Sequence, residues 1–385
     1  MDECALAERL MSYDTSRPEQ IRAASGFVGG WLESRDIAVR TVEHNDLPVL
    51  IADVGPATGP CVVLHGHIDV VPAFEAQFAP RREGDRLIGR GAYDMKGALA
   101  CMLCAVKDVA DQGRVRVRLV CVPDEESEDV EDRSTDRLVA DGLEADFAIT
   151  GEPTDLHIGV QAKGVLALRV EVSGTAAHGS TPWLGDNAIL KAHDTFRRIE
   201  TLPFSRESSE LFDRPSINLA RIEGGDAFNK VPDRCWMDVD IRFLPNQDAR
   251  EILAQVRALG DVGILKLFAQ HEQRGQLQAL VVAANVQLER DNAYVLALRD
   301  GVSRSVEGEA LSVGRDGASD AISFLEAGIP AVEFGPTGGG HHGPEEWVSI
   351  ASLAAYRQVL GDFVRALPAW LGRDDDGPHL EVVRA

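Results

Sequence analysis

The sequence lacks any long hydrophobic run, and it also lacks the basic start of a secretory leader. No apolar stretch among the 385 residues approaches the roughly 18 residues that a bilayer-spanning helix needs. The N-terminal segment MDECALAERLMSYD is acidic and has no basic region ahead of an apolar core, so it indicates a short amphipathic helix and not a signal peptide. These absences predict a cytoplasmic protein that does not bind membranes.

Basic residues are scarce relative to acidic ones. The chain has 39 Lys and Arg residues against 62 Asp and Glu residues, which gives a formal net charge of −23. Such a field repels nucleic acid and anionic membranes, so we expect no nucleic-acid partner. An acidic excess usually means a solvated surface, but it also fits local carboxylate clusters that hold cations.

Cysteine is also sparse, and its spacing forms no disulfide framework. The six cysteines are scattered through apolar segments, as expected in a reducing compartment. Cys101 and Cys104 form a CxxC pair inside the apolar segment ALACMLCAV. Because residues three apart share one face of a helix, we predict that both are small core residues and not a redox or zinc pair.

Length and element order predict two domains. The chain is too long for one small core. Its first part alternates apolar strands with helical segments, which favours an α/β fold with a mixed, largely parallel sheet flanked by helices. From Lys163 the pattern changes to long strands with few helices. We therefore predict a main domain at residues 1–161 and 290–385 and an inserted α+β domain at 162–289. The segment 270–291 has no assigned structure.

Several potential metal ligands are predicted at the ends of strands in the main domain. His67 follows the apolar run at 61–64, Glu125 and Glu126 follow the alternating strand at 114–122, and Glu152 follows the strand at 146–150. In parallel α/β sheets, ligands bind beyond the carboxyl ends of the strands. We therefore expect these side chains to meet at one edge of the sheet.

Asp94 lies in the glycine-rich segment GRGAYDMKG, directly before a helix predicted to start near Gly97. A carboxylate at this position would ordinarily be a helix cap. The other candidate ligands change that interpretation, because a loop near the C-terminus adds His341 or His342 to them. Mixed imidazole and carboxylate ligands suit zinc or a similar divalent ion, and five of them with one shared carboxylate fit two ions better than one.

Seven short motifs follow one another along nearly the whole chain. They are GHIDVVP at 66–72, GRGAYDMKG at 89–97, PDEE at 123–126, TGEPT at 150–154, AAHGSTPWLGDNAI at 176–189, NKVPD at 229–233 and HHGPEEWV at 341–348. In this order they resemble the motifs of the dinuclear zinc amidohydrolases, a family that includes acetylornithine deacetylase, succinyl-diaminopimelate desuccinylase, aminoacylase and carboxypeptidase G.

The resemblance implies a role for each candidate in the main domain. Two ions are implied, most often zinc, with cobalt or manganese as alternatives. Asp94 would bridge them, with His67 and Glu152 completing one site and Glu126 and His342 the other. His342 is preferred over His341 because it precedes Glu346 by four residues. Glu125 is implied as the general base and Asp69 as the carboxylate that orients His67. A cis peptide between Asp94 and Met95 is also implied.

For the inserted domain, the resemblance implies a lid and dimerisation unit of a homodimer. His178 would cross to the partner's active site and stabilise the oxyanion. Asn229 and Arg242 would bind the substrate carbonyl and carboxylate, and Ser319 and Gly339 from the main domain would also contact substrate. Arg242 has an equally good interpretation as an ordinary solvent-facing strand residue.

The expected activity is metal-dependent hydrolysis of the amide bond of a small N-acyl amino acid, by deacetylation or desuccinylation. Ala318 weakens the second choice, because desuccinylases tend to carry threonine before the serine that corresponds to Ser319. A dipeptidase or carboxypeptidase of the same family is the alternative, and a non-catalytic protein that binds a metal or an amino acid is a further one. The additional acidic residues after Glu126, where most relatives have glycine, leave the conformation of that loop open.

Overall fold

The computed structural model describes residues 2–127, 132–260, 262–267, 286–287, 292–306, 311–317 and 319–372. Within them the α-helices are α1 (Glu3–Met11), α2 (Pro18–Glu33), α3 (Gly97–Val109), α4 (Ser134–Ala140), α5 (Ala188–Ile199), α6 (Ala249–Arg257), α7 (Ala293–Ser305), α8 (Ala321–Glu326) and α9 (Ile350–Leu371). No described helix is long and apolar enough to cross a membrane. Ala318, most of the unassigned segment at 270–291 and the C-terminal tail lie outside the described residues.

The strands form three sheets. They are β1 (Val39–His44), β2 (Leu47–Val54), β3 (Cys61–His67), β4 (Arg81–Glu83), β5 (Arg86–Ile88), β6 (Arg116–Val122), β7 (Phe147–Thr150), β8 (Ile158–Ala162), β9 (Gly164–Ser173), β10 (Ser216–Gly224), β11 (Arg234–Phe243), β12 (Val262–Leu267), β13 (Val286–Gln287), β14 (Ser312–Arg315), β15 (Ala331–Glu333), β16 (Gly338–Gly339) and β17 (Trp347–Ser349).

The largest sheet has the order β1-β2-β6-β3-β7-β15-β8-β13, with β14 also paired to β8. Its four central strands, β6, β3, β7 and β15, run parallel to one another. Antiparallel neighbours flank them on both sides. The prediction of an α/β fold with a mixed, largely parallel sheet is confirmed.

Helix α3 packs against the large sheet and is covered by α1 and α9. Its sequence is apolar on nearly every face, and its side chains are buried except for Lys107 and Asp108 in the last turn. Cys101 and Cys104 are buried in this helix with unpaired thiols, as predicted. The core continues into α9, where Tyr356 and Phe363 are fully buried, and each large apolar side chain so placed contributes about 1.5–3 kcal/mol.

A second sheet has the order β10-β11-β9-β12 and is antiparallel throughout. Along β11 the side chains alternate, so that Met237, Val239 and Ile241 are buried against α5 and α6 while their neighbours are partly exposed. This is the α+β arrangement predicted for the inserted segment. The domain boundaries themselves stay a prediction; β13, which lies inside the predicted insert, pairs with β8 of the large sheet.

A small third sheet, β16-β17-β5-β4, joins two distant parts of the chain. Trp347 pairs with Ile88, and the backbone N–H of Gly89 donates to the carbonyl of Glu346 at 2.8 Å. The glycine-rich turn around Asp94 and the loop of His341 and His342 are therefore neighbours. None of these four short strands was predicted from the sequence.

Candidate metal centre

Three central strands deliver candidate ligands to the same edge of the large sheet. His67 was predicted to lie just beyond the end of β3. In the structure it is the last residue of that strand. Glu126 follows β6 and Glu152 follows β7. Because β6, β3 and β7 are adjacent and parallel, their carboxyl ends coincide.

Asp94 stands at the centre of this edge. It lies in a distorted helical turn, Ala92–Lys96, and the peptide bond to Met95 is cis, as the resemblance implied. One carboxylate oxygen lies 3.0 Å from Nε2 of His67. The other contacts Nε2 of His341 and lies 3.3 Å from Nε2 of His342. Asp94 thus contacts histidines from two separate parts of the chain.

The remaining acidic candidates each approach one of these histidines, but of the two only Glu126 belongs to a group of described residues whose ligand atoms all lie close together. Nε2 of His342 lies 2.9 Å from a carboxylate oxygen of Glu126, and Nε2 of His67 lies 4.0 Å from one of Glu152. The ligand atoms of His67, Asp94 and Glu126 all lie within 4.8 Å of one another, as do those of Asp94, His341 and His342. Both His341 and His342 therefore approach Asp94, whereas only His342 was predicted as a ligand.

The charges of this cluster fit divalent cations. Burial raises the pKa of Glu152 well above its usual range, and the neighbouring charge of Asp94 adds to this effect. Burial would also raise the pKa of Asp94, but hydrogen bonds with His341, His342 and His67 outweigh it and hold that pKa well below its usual range. Several carboxylates in one buried place are stabilised by cations, and this donor set of imidazole nitrogens and carboxylate oxygens suits zinc.

Asp69 links His67 to the acidic pair. Its backbone carbonyl lies 3.1 Å from Nδ1 of His67, and its carboxylate lies 3.5 Å from the same nitrogen. The same carboxylate accepts hydrogen bonds from the backbone N–H groups of Glu125, at 3.3 Å, and Glu126, at 2.8 Å. Asp69 therefore leaves Nε2 of His67 facing the cluster and holds the acidic pair beside it.

Glu125 lies beside the cluster with little exposure to solvent. Its side chain is 13% exposed, and its carboxylate accepts a hydrogen bond from Nη1 of Arg133 at 3.2 Å. Burial raises the pKa of Glu125 to about 8, against the opposing charges of His67 and Arg133. A carboxylate with a pKa near neutrality has the proton affinity that general base catalysis needs.

The turn of Asp94 is held by a buried ion pair that we call the Arg90–Glu346 clamp. The carboxylate of Glu346 accepts from the backbone N–H groups of Tyr93, at 3.0 Å, and Asp94, at 3.1 Å, and from Nη1 of Arg90. Nη2 of Arg90 donates to the carbonyl of His342 at 2.9 Å. No role was predicted for this pair from the sequence, because Arg90 and Glu346 belong to different motifs far apart in the chain.

The three candidates of the predicted insert are not part of this cluster. His178 is exposed and its Nδ1 accepts a hydrogen bond from Oγ of Ser180 at 2.7 Å. Asn229 is also exposed, and its carbonyl accepts from the N–H of Gly179 at 2.7 Å. Arg242 lies on β11 and donates to Asp240 at 3.1 Å. Among the described residues, these side chains make no hydrogen bond or ion pair with a candidate ligand.

The two remaining substrate candidates belong to the main domain. Ser319 is buried, and its hydroxyl donates to the carboxylate of Glu333 at 2.7 Å. Gly339 lies in β16, where it pairs with Trp347. Their roles in substrate binding stay a prediction.

Comparison with known proteins places this geometry among metallopeptidases. Residues 63–366 match the family described as Peptidase family M20/M25/M40. The succinyl-diaminopimelate desuccinylase of Erythrobacter litoralis is 26% identical over 326 residues, which cover 81% of this chain and 82% of that protein.

Solved structures of the same family share the fold. The M20 family metallo-carboxypeptidase Sso-CP2 from Sulfolobus solfataricus has a TM-score of 0.76 at 19% identity, covering 96% of this chain and 100% of that one. The YXEP protein of Bacillus subtilis, described as a dinuclear metal binding peptidase from the M20 family, has a TM-score of 0.63 at 16% identity, covering 94% and 98%.

Proposed function

Because the chain belongs to peptidase family M20/M25/M40, we propose that it is a metal-dependent hydrolase of the amide bond in small N-acyl amino acids. The observation that carries this proposal is that Asp94 belongs to two overlapping groups of potential ligands, one with His67 and Glu126 and one with His341 and His342, with the nearly buried carboxylate of Glu125 beside them. The relative named as a desuccinylase favours a succinylated substrate over an acetylated one. A dipeptide is the alternative substrate, in keeping with the peptidases of the family.

We propose two zinc ions as the cofactor, with cobalt or manganese as alternatives. His67, Asp94 and Glu152 would hold one ion, and Asp94, Glu126 and His342 the other. His341 is an additional candidate metal ligand, because it contacts the same carboxylate oxygen of Asp94 as His342 does. When bound, such ions polarise a carbonyl group and lower the pKa of a bound water from 15.7 to about 7.

Glu125 would move the proton in the reaction. Its carboxylate would accept a proton from the attacking water and return it to the nitrogen of the leaving amine. Asp69 supports this role because it fixes the backbone of both Glu125 and Glu126. His67, held from its other nitrogen by Asp69, would remain oriented toward the ions throughout.

We also propose that the protein is a homodimer in which His178 serves the partner's site and donates to the developing oxyanion. Exposed apolar side chains on the unit that carries His178 support an association surface: Trp183 is 75% exposed, Leu184 70% and Leu190 64%. Within the described residues, β10 pairs only with β11, so it offers a free sheet edge on the same unit. Asn229 and Arg242 would bind substrate from this unit.

A cytoplasmic location is proposed on the state of the cysteines. All six lie within the described residues, and all are buried thiols without a disulfide partner. Unpaired buried cysteines are typical of proteins that fold in a reducing compartment.

The proposed activity is tested by incubating the protein with a panel of N-succinyl amino acids, N-acetyl amino acids and dipeptides, each with zinc, cobalt or manganese. Mass spectrometry would detect the released amine. We expect release from one acyl class, dependent on added metal and abolished by a chelator. Binding of metal without cleavage of any substrate class would contradict the proposal and favour a non-catalytic binding protein.

A further inference from the structure

We propose that Arg133 is a positioning residue that holds the carboxylate of Glu125 in place for proton transfer by tying it to Asp320. This inference rests on the proposed function, because it assumes that Glu125 is the general base. Arg133 directly precedes α4, while its two acidic partners lie after β6 and before α8. The side chain therefore joins three separate elements at the candidate site.

The contacts of the guanidinium define this role. Nη1 of Arg133 lies 3.2 Å from Oε1 of Glu125 and 3.6 Å from Oδ1 of Asp320. The side chain of Asp320 is 3% exposed, that of Glu125 13% and that of Arg133 23%. Ion pairs that are shielded from solvent in this way are screened little by salt, so they constrain geometry more than surface pairs do.

The other end of this connection is rigid. Oδ2 of Asp320 accepts a hydrogen bond from the hydroxyl of Thr135 and lies 3.4 Å from Nε2 of His65. Asp124 accepts from the backbone N–H of Ser134 at 3.0 Å and from its hydroxyl at 2.8 Å. The first turn of α4 is therefore fixed on both sides, and the point from which Arg133 extends is fixed with it.

Glu125 depends on this contact more than its neighbour does. Across the part of the chain that the structure describes, Arg133 is the one hydrogen-bond donor to the Glu125 carboxylate, whereas the Glu126 carboxylate contacts His342. The arginine engages Oε1 alone, which leaves Oε2 available to take a proton. A general base must lie within hydrogen-bond reach of the proton that it accepts, so its side-chain position limits the rate.

Arginine is suited to this task because Nη1, which approaches both carboxylates, is part of a rigid planar guanidinium. Lysine carries the same charge as a single point on a flexible chain, so it would keep the charge but only part of the geometry. Methionine would keep much of the apolar stem and remove the charge. A comparison of arginine, lysine and methionine at this position therefore distinguishes the effects of positioning, charge and packing on the reaction.

The test compares Arg133→Met and Arg133→Lys with a matched control, Arg137→Met. Arg137 lies on the same helix, but it is exposed, and within the described residues its side chain pairs only with Asp141, at 2.9 Å. We expect Arg133→Met to lower kcat by roughly 10–100-fold, the scale of a misplaced catalytic group, with KM and metal content unchanged. Arg133→Lys should recover part of the loss, and Arg137→Met should leave kcat unchanged.

A double-mutant cycle separates positioning of the base from a general structural effect. In a Glu125→Gln background, Arg133→Met should cause less than about a twofold further loss in kcat, because the group that it positions is already absent. An equal fractional loss in both backgrounds, or an unchanged kcat in Arg133→Met, would overturn the inference. A wild-type protein that holds metal but cleaves no amide would instead refute the proposed function itself.

Discussion

The predicted main domain and the predicted insert hold their functional candidates in opposite ways. His67, Asp94 and Glu152 are all buried, and each is within reach of another candidate ligand. His178 and Asn229 are exposed; His178 bonds to Ser180 of its own loop, and the backbone carbonyl of Asn229 accepts from the N–H of Gly179 in that same loop. One folded chain therefore preorganises the candidate metal centre, whereas the proposed roles of His178 and Asn229 require a substrate or a second chain.

The largest effect should come from the acidic pair of the main domain. Glu125→Gln preserves the shape of the side chain and removes the base, so turnover should fall by roughly 10²–10⁴-fold while metal content persists. Glu126→Gln should instead lose metal, because it removes a ligand oxygen. Steady-state kinetics and elemental analysis check both variants, and the reverse pattern would exchange the two assigned roles.

The next largest effect concerns the exposed residue of the inserted unit. His178→Ala should keep its metals and its fold but lose roughly 10²–10³-fold in turnover, the scale of one oxyanion donor. Mixing this variant with Glu125→Gln chains should restore activity in part, because a mixed dimer contains one site with both residues intact. Mixed dimers that form without any recovery would show that His178 does not act across an interface.

The Arg90–Glu346 clamp provides a sharper test of preorganisation in the main domain. Glu346→Gln should weaken metal binding by roughly 10–100-fold, because it loosens the turn of Asp94 without removing a ligand. Glu345→Gln is the matched control, since that neighbouring side chain is 71% exposed and pairs with Arg81 at the surface. Competition with a metal indicator measures both affinities, and equal affinities in the two variants would contradict the role of the clamp.

The smallest effect is expected at the surface of the inserted unit. Trp183→Ser should weaken self-association by about 2 kcal/mol, or roughly 30-fold, if this exposed side chain is central to the dimer interface. Phe74→Ser is the control, because Phe74 is 81% exposed but belongs to the predicted main domain. Sedimentation at several concentrations distinguishes them, and an unchanged dimer in Trp183→Ser would place the interface elsewhere.

The main domain was also the region that the sequence predicted best. The start of α3 near Gly97 was predicted correctly, because the glycine-rich segment before it marks the change to helix. The convergence of His67, Glu126 and Glu152 followed from the order of the parallel strands. By contrast, β8 and β14 were missed, since they are short and take their pairing from distant parts of the chain.

Features that depend on contacts between distant residues were harder to predict. The choice between His341 and His342 required the conformation of their loop, in which His342 has a left-handed φ of 57° and both side chains approach Asp94. The Arg90–Glu346 clamp joins residues far apart in sequence, so spacing within either motif could not reveal it. Arg133 was likewise not predicted, because it follows an acidic segment whose conformation the sequence left open.

The proposed dinuclear centre depends most on Asp94 as the carboxylate shared by two ions. Elemental analysis of the purified protein, alongside Asp94→Ala, tests this directly. We predict close to two divalent ions per wild-type chain and loss of both in the variant, because a bridging ligand serves each ion. Fewer than one ion in the wild type, or two ions retained by Asp94→Ala, would contradict the dinuclear centre.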